Sequence, residues 1–551
     1  MTYDLIVIGS GPAGQKSAIA ATKLGKKVAI IERQKSLMGG VCLHTGTIPS
    51  KTMREAILHL TGYRQRDVYA DQYRRKRSIT MNDLRRKLAH VTQLELEVIH
   101  DQLERNGVEF FSGQARLASP HHVEVHSHDG GTQVLSGEFF MLCCGTKPAR
   151  PAHIPFDGNC IFDSDEILNL QHIPRSMIVV GGGVIGIEYA IMFATLGVQV
   201  TVVDGRERLL DFCDREIVDT LLHHARSLNM TFRLGEEVVG MERRGPQLAA
   251  VHLESGKRLM AETVLYSVGR VGDTDDLNLA AAGLEPDERG RLWCNEFHQT
   301  WVPHIYGAGD VVGFPALASV SMEQGRRAVC HAFGASFDAC NHMPYGLFTI
   351  PEISMVGKTE QQLTAEKVPY EVGIARYREI ARGYIVGDQT GMLKLLFHRE
   401  TRKLLGIHCI GEMSTEIIHI GQAVLALGGT IDYFRDTVFN YPTMAECYKV
   451  AAFDGLKKLS YDCEPCEVVP SVDADVNDYM AVASRKASAS ERNATPTEST
   501  NFSVRREVKR NLITTGETTG IVPPAVANPF ETIATVPQSI DSEAEADELA
   551  V

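Results

Sequence analysis

The chain contains no run of about eighteen apolar residues, so no membrane-spanning helix is predicted. Its first residues, Met1-Thr2-Tyr3-Asp4, carry neither a cationic flank nor an apolar stretch of signal length and run straight into Leu5-Ile6-Val7-Ile8. There is no basic excess either: the formal net charge is −13, which argues against a nucleic-acid partner. Twelve cysteines are scattered through 551 residues with no leader ahead of them, so they read as reduced thiols and not as a disulfide framework. These absences predict a cytoplasmic protein that engages neither membrane nor nucleic acid.

What is present is ample material for packed cores. With 44% hydrophobic and 23% charged residues, a chain of this length is expected to form about two to four domains. Its 48 glycines point to turns where the backbone approaches a phosphate too closely for a side chain.

From Leu5 to Glu32 the order is a β-branched strand, a glycine-rich turn, an alanine-rich helix and a second strand, Lys27-Val28-Ala29-Ile30-Ile31, that ends in an acid. The same order recurs from Met177 to Asp204, where Ile178-Val179-Val180 leads into Gly181-Gly182-Gly183-Val184-Ile185-Gly186 and then Val198 to Val203. One βαβ unit is therefore used twice. Between the units, apolar Leu84, Leu88, Val91 and Leu94 recur at helical spacing and predict a packed surface helix over about Ile79 to Asn106. From about Asn341 to Leu459 a mixed pattern, with strands at Gly391–Phe397 and Leu404–His408, predicts a third, α+β domain.

Beyond Ser460 the composition turns to Ser, Thr, Ala, Glu and Pro, and a disordered tail is expected. From Tyr461 onward acids outnumber bases about 16 to 7. Most of the net charge thus belongs to the tail, and the folded body is nearly neutral.

Gly9-Ser10-Gly11-Pro12-Ala13-Gly14 is G-x-G-x-x-G between a strand and a helix. The first glycine allows a tight turn, the second lets backbone N–H groups approach a pyrophosphate, and the third lets helix pack on strand. Glu32 at the end of the next strand can accept hydrogen bonds from the ribose hydroxyls. Far downstream, His304-Ile305-Tyr306-Gly307-Ala308-Gly309-Asp310 is an apolar strand ending in Gly-x-Gly-Asp, where an aspartate can hold the ribityl and phosphate region of a flavin. The first dinucleotide is accordingly read as FAD.

A second cradle in the same chain implies a second dinucleotide, and nicotinamide is the natural partner of a flavin. Asp204 suits the free ribose hydroxyl of NAD, whereas Arg206 and Arg208 suit the 2′-phosphate of NADP. The alternative, that these arginines pair only with Glu207 or solvent, stays open at this stage.

The segment Gly39-Gly40-Val41-Cys42-Leu43-His44-Thr45-Gly46-Thr47-Ile48-Pro49-Ser50-Lys51 resembles the pyridine nucleotide-disulfide oxidoreductase family. In that family a C-x-x-x-x-C disulfide lies on the flavin face ahead of Pro-Ser-Lys. Here Cys42 stands alone and Thr47 occupies the second position, so that disulfide cannot form. The family's His-Pro-Thr-x-x-Glu segment, whose histidine serves thiol chemistry from the partner subunit, reads Tyr441-Pro442-Thr443-Met444-Ala445-Glu446. Together with Thr349-Ile350-Pro351-Glu352-Ile353-Ser354 and Glu416 to Ala423, these stretches are similar to the soluble, Si-specific pyridine nucleotide transhydrogenase branch. The likeness runs from about Tyr3 to Leu459.

The resemblance implies an α/β fold with two Rossmann-like nucleotide-binding domains and a C-terminal α+β dimerisation domain. FAD would be held by residues 1–145 and 270–340, NAD(P) by 146–269, and the interface by 341–460, with an acidic tail over 461–551. It places Lys51 beside flavin N5, paired with Glu188, as the catalytic residues. It also assigns Arg33, Gly40, Val41, Cys42 and Thr47 to cofactor binding, with Gly145, Thr146, Gly269, Arg270 and Ala318. No metal is implied.

The implied reaction is ping-pong hydride transfer between NADPH and NAD in a homo-oligomer, at least a dimer, with the Tyr441–Glu446 segment near the partner's site. The alternative is a flavin-dependent NAD(P)H dehydrogenase, or diaphorase, using another acceptor. Three further features carry two readings each: His44 as a packed or hydrogen-bonded histidine or a modulator of the flavin edge, Tyr441 as a space-filler or a hydroxyl near the partner's site, and Cys463-Glu464-Pro465-Cys466 as a plain pair or a thiol relay with no first disulfide to feed it.

Overall fold

The structure is a computed structural model that describes residues 1–65, 78–337 and 342–461. The expectations for the tail and for Cys463 and Cys466 concern residues outside those described. The described residues 1–461 fall within one compact unit.

A seven-stranded sheet is built around Thr2–Ile8, which pairs in parallel with Val28–Glu32 on one side and Thr132–Leu142 on the other. Leu5, Ile6 and Val7 have no solvent exposure, the continuous burial expected of a central parallel strand covered on both faces. Ile305–Gly307 joins the same sheet in parallel with Thr132–Leu142, through Ile305 opposite Phe140. The strand that carries Gly309 and Asp310 to its end, although remote in sequence, therefore sits beside the first glycine turn.

The second βαβ unit builds its own five-stranded parallel sheet. Ser176–Val180 lies at its centre between Gln199–Asp204 and Thr263–Tyr266. A third sheet, antiparallel and five-stranded, spans Tyr345–Leu347 to Leu404–Ile410. Its strands Met392–His398 and Leu404–Ile410 match the two expected there. The α/β plus α+β architecture expected from the sequence is what the chain forms.

The long helix runs Met81–Arg105. A capping box fixes its start: the Thr80 hydroxyl accepts the Asp83 N–H at 3.3 Å and the Asp83 carboxylate accepts the Thr80 N–H at 2.8 Å. The expected apolar stripe is only half correct. Leu84 and Leu88 are buried, but Leu94 is 49% exposed. The helix outruns one core: Leu84 and Leu88 pack in the cluster that includes Ile187 and Phe193, while Ile99 and Leu103 join the core around Leu5 and Val7. Its middle bridges the two. Among the described residues no helix is long and apolar enough to cross a membrane.

Candidate active site

Each βαβ unit brings its glycine turn to the end of its central strand. Gly9 has φ +101° and Gly181 has φ +97°, conformations that a side chain disfavours. A Cβ on Gly181 would also lie 2.7 Å from the Ser267 carbonyl oxygen. Five residues on, a Cβ on Gly14 would overlap the Gly9 carbonyl, and one on Gly186 would overlap that of Gly181. These third glycines let the helices Pro12–Lys23 and Val184–Thr195 close on their own turns. The middle glycines, Gly11 and Gly183, instead face open space at the two helix N-termini, where free N–H groups and the helix dipole suit a pyrophosphate. Gly186→Ala is expected to destabilise the protein by about 1–3 kcal/mol through this overlap, measured as a lower denaturation midpoint. An unchanged midpoint would show that the helix can back away.

Both turns open on one cavity of about 910 Å³. Its first wall carries Gly9, Gly11, Pro12, Ala13, Glu32 and Arg33. A second is formed by Gly40, Val41, Cys42, Thr47 and Lys51, and a third by Gly145, Thr146, Gly309, Asp310 and Ala318. The second unit contributes Gly183, Val184, Ile185 and Glu188, joined by Gly269 and Arg270. Gly14, Gly181 and Gly186 support the turns without lining the cavity. Asp204 and Arg206 also lie off its wall.

Glu188 is 4% exposed, and a buried carboxylate is costly unless paired. Lys51 Nζ donates to its Oε2 at 2.6 Å, and the Phe348 backbone N–H donates to Oε1 at 2.8 Å. The Phe348 ring lies under the ammonium, 5.1 Å from Nζ to the ring centre. The family pattern points to the pair but not to Phe348, which directly precedes the Thr349 to Ser354 stretch. Tyr345 and His419 also line the cavity; His419 lies in the Glu416 to Ala423 stretch that carries the resemblance, whereas no sequence signal pointed to Tyr345.

Cys42 is a free thiol. Burial pushes it above the ordinary thiol range, with Asp310 and Glu95 adding to the rise and the Thr47 hydrogen bond and Lys51 opposing it. A thiol held protonated beside a threonine is a poor nucleophile. Burial likewise raises the Asp310 carboxyl, against Arg270 and hydrogen bonds from Thr146 and Ser321. Arg270 is itself fixed by the Thr146 hydroxyl (2.9 Å), the Thr146 carbonyl (2.8 Å) and Asp165 (2.6 Å).

At the end of the second unit's strand, Asp204 and Arg206 are paired with each other, a partner for the arginine other than Glu207 or solvent. Arg206 clamps Asp204 through Nε (3.0 Å) and Nη2 (2.8 Å). The two residues lie two positions apart on a turn leaving the strand, close enough for the guanidinium to fold back. His44 bonds through Nε2 to the Met38 carbonyl at 2.8 Å and also lines the cavity. Tyr441 is 72% exposed and lies outside the cavity wall.

The glycine turns, the open helix N-termini and the polar Asp310–Thr146–Arg270 set could hold the phosphates and sugars of dinucleotides. Residues 3–325 match the family described as pyridine nucleotide-disulphide oxidoreductase, and residues 343–452 match its dimerisation domain. The chain is 52% identical over 459 residues to the soluble pyridine nucleotide transhydrogenase of Mycobacterium bovis, covering 83% of this chain and 98% of that protein. The Erwinia tasmaniensis protein of the same name is 46% identical, with the same coverage of both chains. The HOCl-induced flavoprotein disulfide reductase RclA from Escherichia coli is similar in structure, with a TM-score of 0.73 at 27% identity over 82% of this chain and 99% of that one. LpdA from Mycobacterium tuberculosis, at 24% identity and a TM-score of 0.75 over 82% and 99% of the two chains, shares the fold. The chain belongs to the pyridine nucleotide-disulphide oxidoreductase family, among the relatives named soluble pyridine nucleotide transhydrogenases.

Proposed function

We propose that the chain moves hydride between NADPH and NAD in a ping-pong reaction, NADPH + NAD⁺ ⇌ NADP⁺ + NADH, with FAD supplying the two-electron chemistry when bound. One observation carries this reading: both dinucleotide cradles open on a single cavity whose inner wall holds Lys51, Glu188 and an unpaired Cys42 beside Thr47. The wall lacks the family's C-x-x-x-x-C pair, since Thr47 stands where the second cysteine would be, and it keeps a second glycine turn suited to a nicotinamide dinucleotide.

The first cradle, with Glu32, Thr146, Gly309 and Asp310, would hold FAD; the second, from Gly183 to Ile185, would hold the nicotinamide dinucleotide. Lys51 places a cation at the meeting point of the two, fixed by Glu188 and by the ring of Phe348. Because Glu188 is anchored by the Phe348 N–H as well, the pair is set before any ligand arrives, so little reorganisation is needed when charge shifts. Cys42 and Thr47 stay out of the chemistry and shape the wall.

The match to the dimerisation domain supports a homo-oligomer. In such a dimer the exposed Tyr441 segment would approach the partner's site. Exposed Leu427 (87%) and Val438 (89%) on the same domain are apolar surface of the kind that subunits bury.

The test is kinetic. NADPH is expected to reduce a thio analogue of NAD with parallel lines in double-reciprocal plots, the sign of one ligand leaving before the next binds. Flavin that bleaches with NADPH yet never passes hydride to the analogue would sink the proposal and favour another acceptor.

A further inference from the structure

The two cradles begin alike and then differ. In the first, Glu32 Oε2 accepts the Ser10 backbone N–H at 3.0 Å and the Ser10 hydroxyl at 2.7 Å and Oε1 accepts the Arg33 backbone N–H at 2.8 Å, while the Arg33 guanidinium turns away to Asp273. In the second, Asp204 Oδ2 accepts the Gly182 N–H at 2.6 Å, the equivalent bond within the repeat. There, however, the arginine folds back. Besides the two guanidinium contacts, the Arg206 backbone N–H donates to Oδ1 at 2.8 Å.

Each oxygen of Asp204 thus carries two donors, one of each pair from the Arg206 guanidinium, and its side chain is 7% exposed, whereas that of Arg206 is 47% exposed. An acid capped in this way has no room for a ribose hydroxyl while the cap is on. The cap is half in water, and ion pairs of that kind are weak and open cheaply. A guanidinium committed on one edge still presents its remaining N–H groups outward, in the planar fork that suits a phosphate. The carboxylate beneath, already neutralised, no longer repels that phosphate.

We infer that Arg206 is an exchangeable cap that sets which adenosine ribose the second cradle takes. A ribose bearing a 2′-phosphate binds the guanidinium with the cap closed on Asp204. A bare ribose binds the Asp204 carboxylate with the cap swung off. One cradle then serves both dinucleotides of a transhydrogenase in turn. The inference rests on reading the second cradle as the nicotinamide dinucleotide site.

Calorimetric titration of the FAD-loaded enzyme with adenosine 2′,5′-bisphosphate and with 5′-AMP tests the cap without turnover. Wild type should bind both probes. Arg206→Ala is expected to weaken the bisphosphate about 10- to 100-fold, the loss of hydrogen bonds to a charged group, while 5′-AMP binds as well or more tightly. Asp204→Asn is expected to do the reverse, weakening 5′-AMP and leaving the bisphosphate within about threefold. Flavin content and melting temperature report whether each variant is folded. Equal losses of both probes in Arg206→Ala would overturn the inference by showing that the arginine only holds the turn, as would no loss of either. Wild-type enzyme that binds neither probe would instead overturn the reading of the second cradle itself.

Discussion

Replacing Lys394 by methionine is expected to lower the unfolding free energy by about 3–5 kcal/mol, the usual consequence of removing one partner from a buried ion pair. The Lys394 side chain has no solvent exposure, and its ammonium lies 2.9 Å from Asp214, which is equally buried. Glu216 at 3.2 Å and Glu360 complete the set. Asp214 also caps the helix Arg215–Ser227 by accepting the Glu216 N–H, and it accepts the Glu360 N–H. The cluster therefore ties the second nucleotide-binding unit to the C-terminal sheet. Methionine fills the volume and strands the carboxylate.

The effect has a pH signature. Burial alone would raise the Asp214 carboxyl, but His408, Lys394 and the Glu360 N–H outweigh it and hold it below the ordinary carboxylate range. A lowered folded value contributes stability that is present above the unfolded value, about pH 4, and is lost as pH falls through the folded one. The gap between wild type and Lys394→Met, measured by urea unfolding, should narrow in acid. Equal midpoints at neutral pH would mean that water reaches Asp214 and that the cluster is dispensable. Adding Asp214→Asn to the variant should recover part of the loss, since the two residues are directly coupled.

Glu188→Gln is expected to slow reduction of the bound flavin by NADPH by about 10²-fold, on the scale seen when one preorganised electrostatic group is removed from an active site. Glutamine keeps the length and can still accept the Phe348 N–H through its carbonyl oxygen. It removes the charge that fixes Lys51 at 2.6 Å. Stopped-flow absorbance of the flavin reads this step directly, and flavin content should match wild type because Glu188 belongs to neither phosphate turn. A rate within about twofold of wild type would reduce the Lys51–Glu188 pair to a structural link between the two units.

The sequence by itself determined the parts whose causes are local. Each cradle is closed by contacts within a few residues: Gly14 against Gly9, Gly186 against Gly181. Such contacts leave a spacing that can be read. The missing disulfide is equally local, since Thr47 stands five residues from Cys42 and lies against it. Strand order within each βαβ unit follows from the same short-range pattern.

Only the tertiary structure decided the rest. Lys51 and Glu188 are 137 residues apart; spacing could not join them, and family resemblance supplied the pairing. Phe348 enters the site through its backbone N–H and its ring from 160 residues beyond Glu188, a separation that spacing could not bridge. Leu94 fits the helical period and is nonetheless exposed, because the helix leaves one core before it reaches the next. Arg206 and Asp204 stand together in the sequence, yet whether the guanidinium reaches outward or folds back depends on side-chain geometry. Lys394 reads as an ordinary polar break in an apolar strand until three carboxylates from other elements close over it. In each case periodicity records which face a residue prefers, whereas the contact depends on what the folded chain brings to that face.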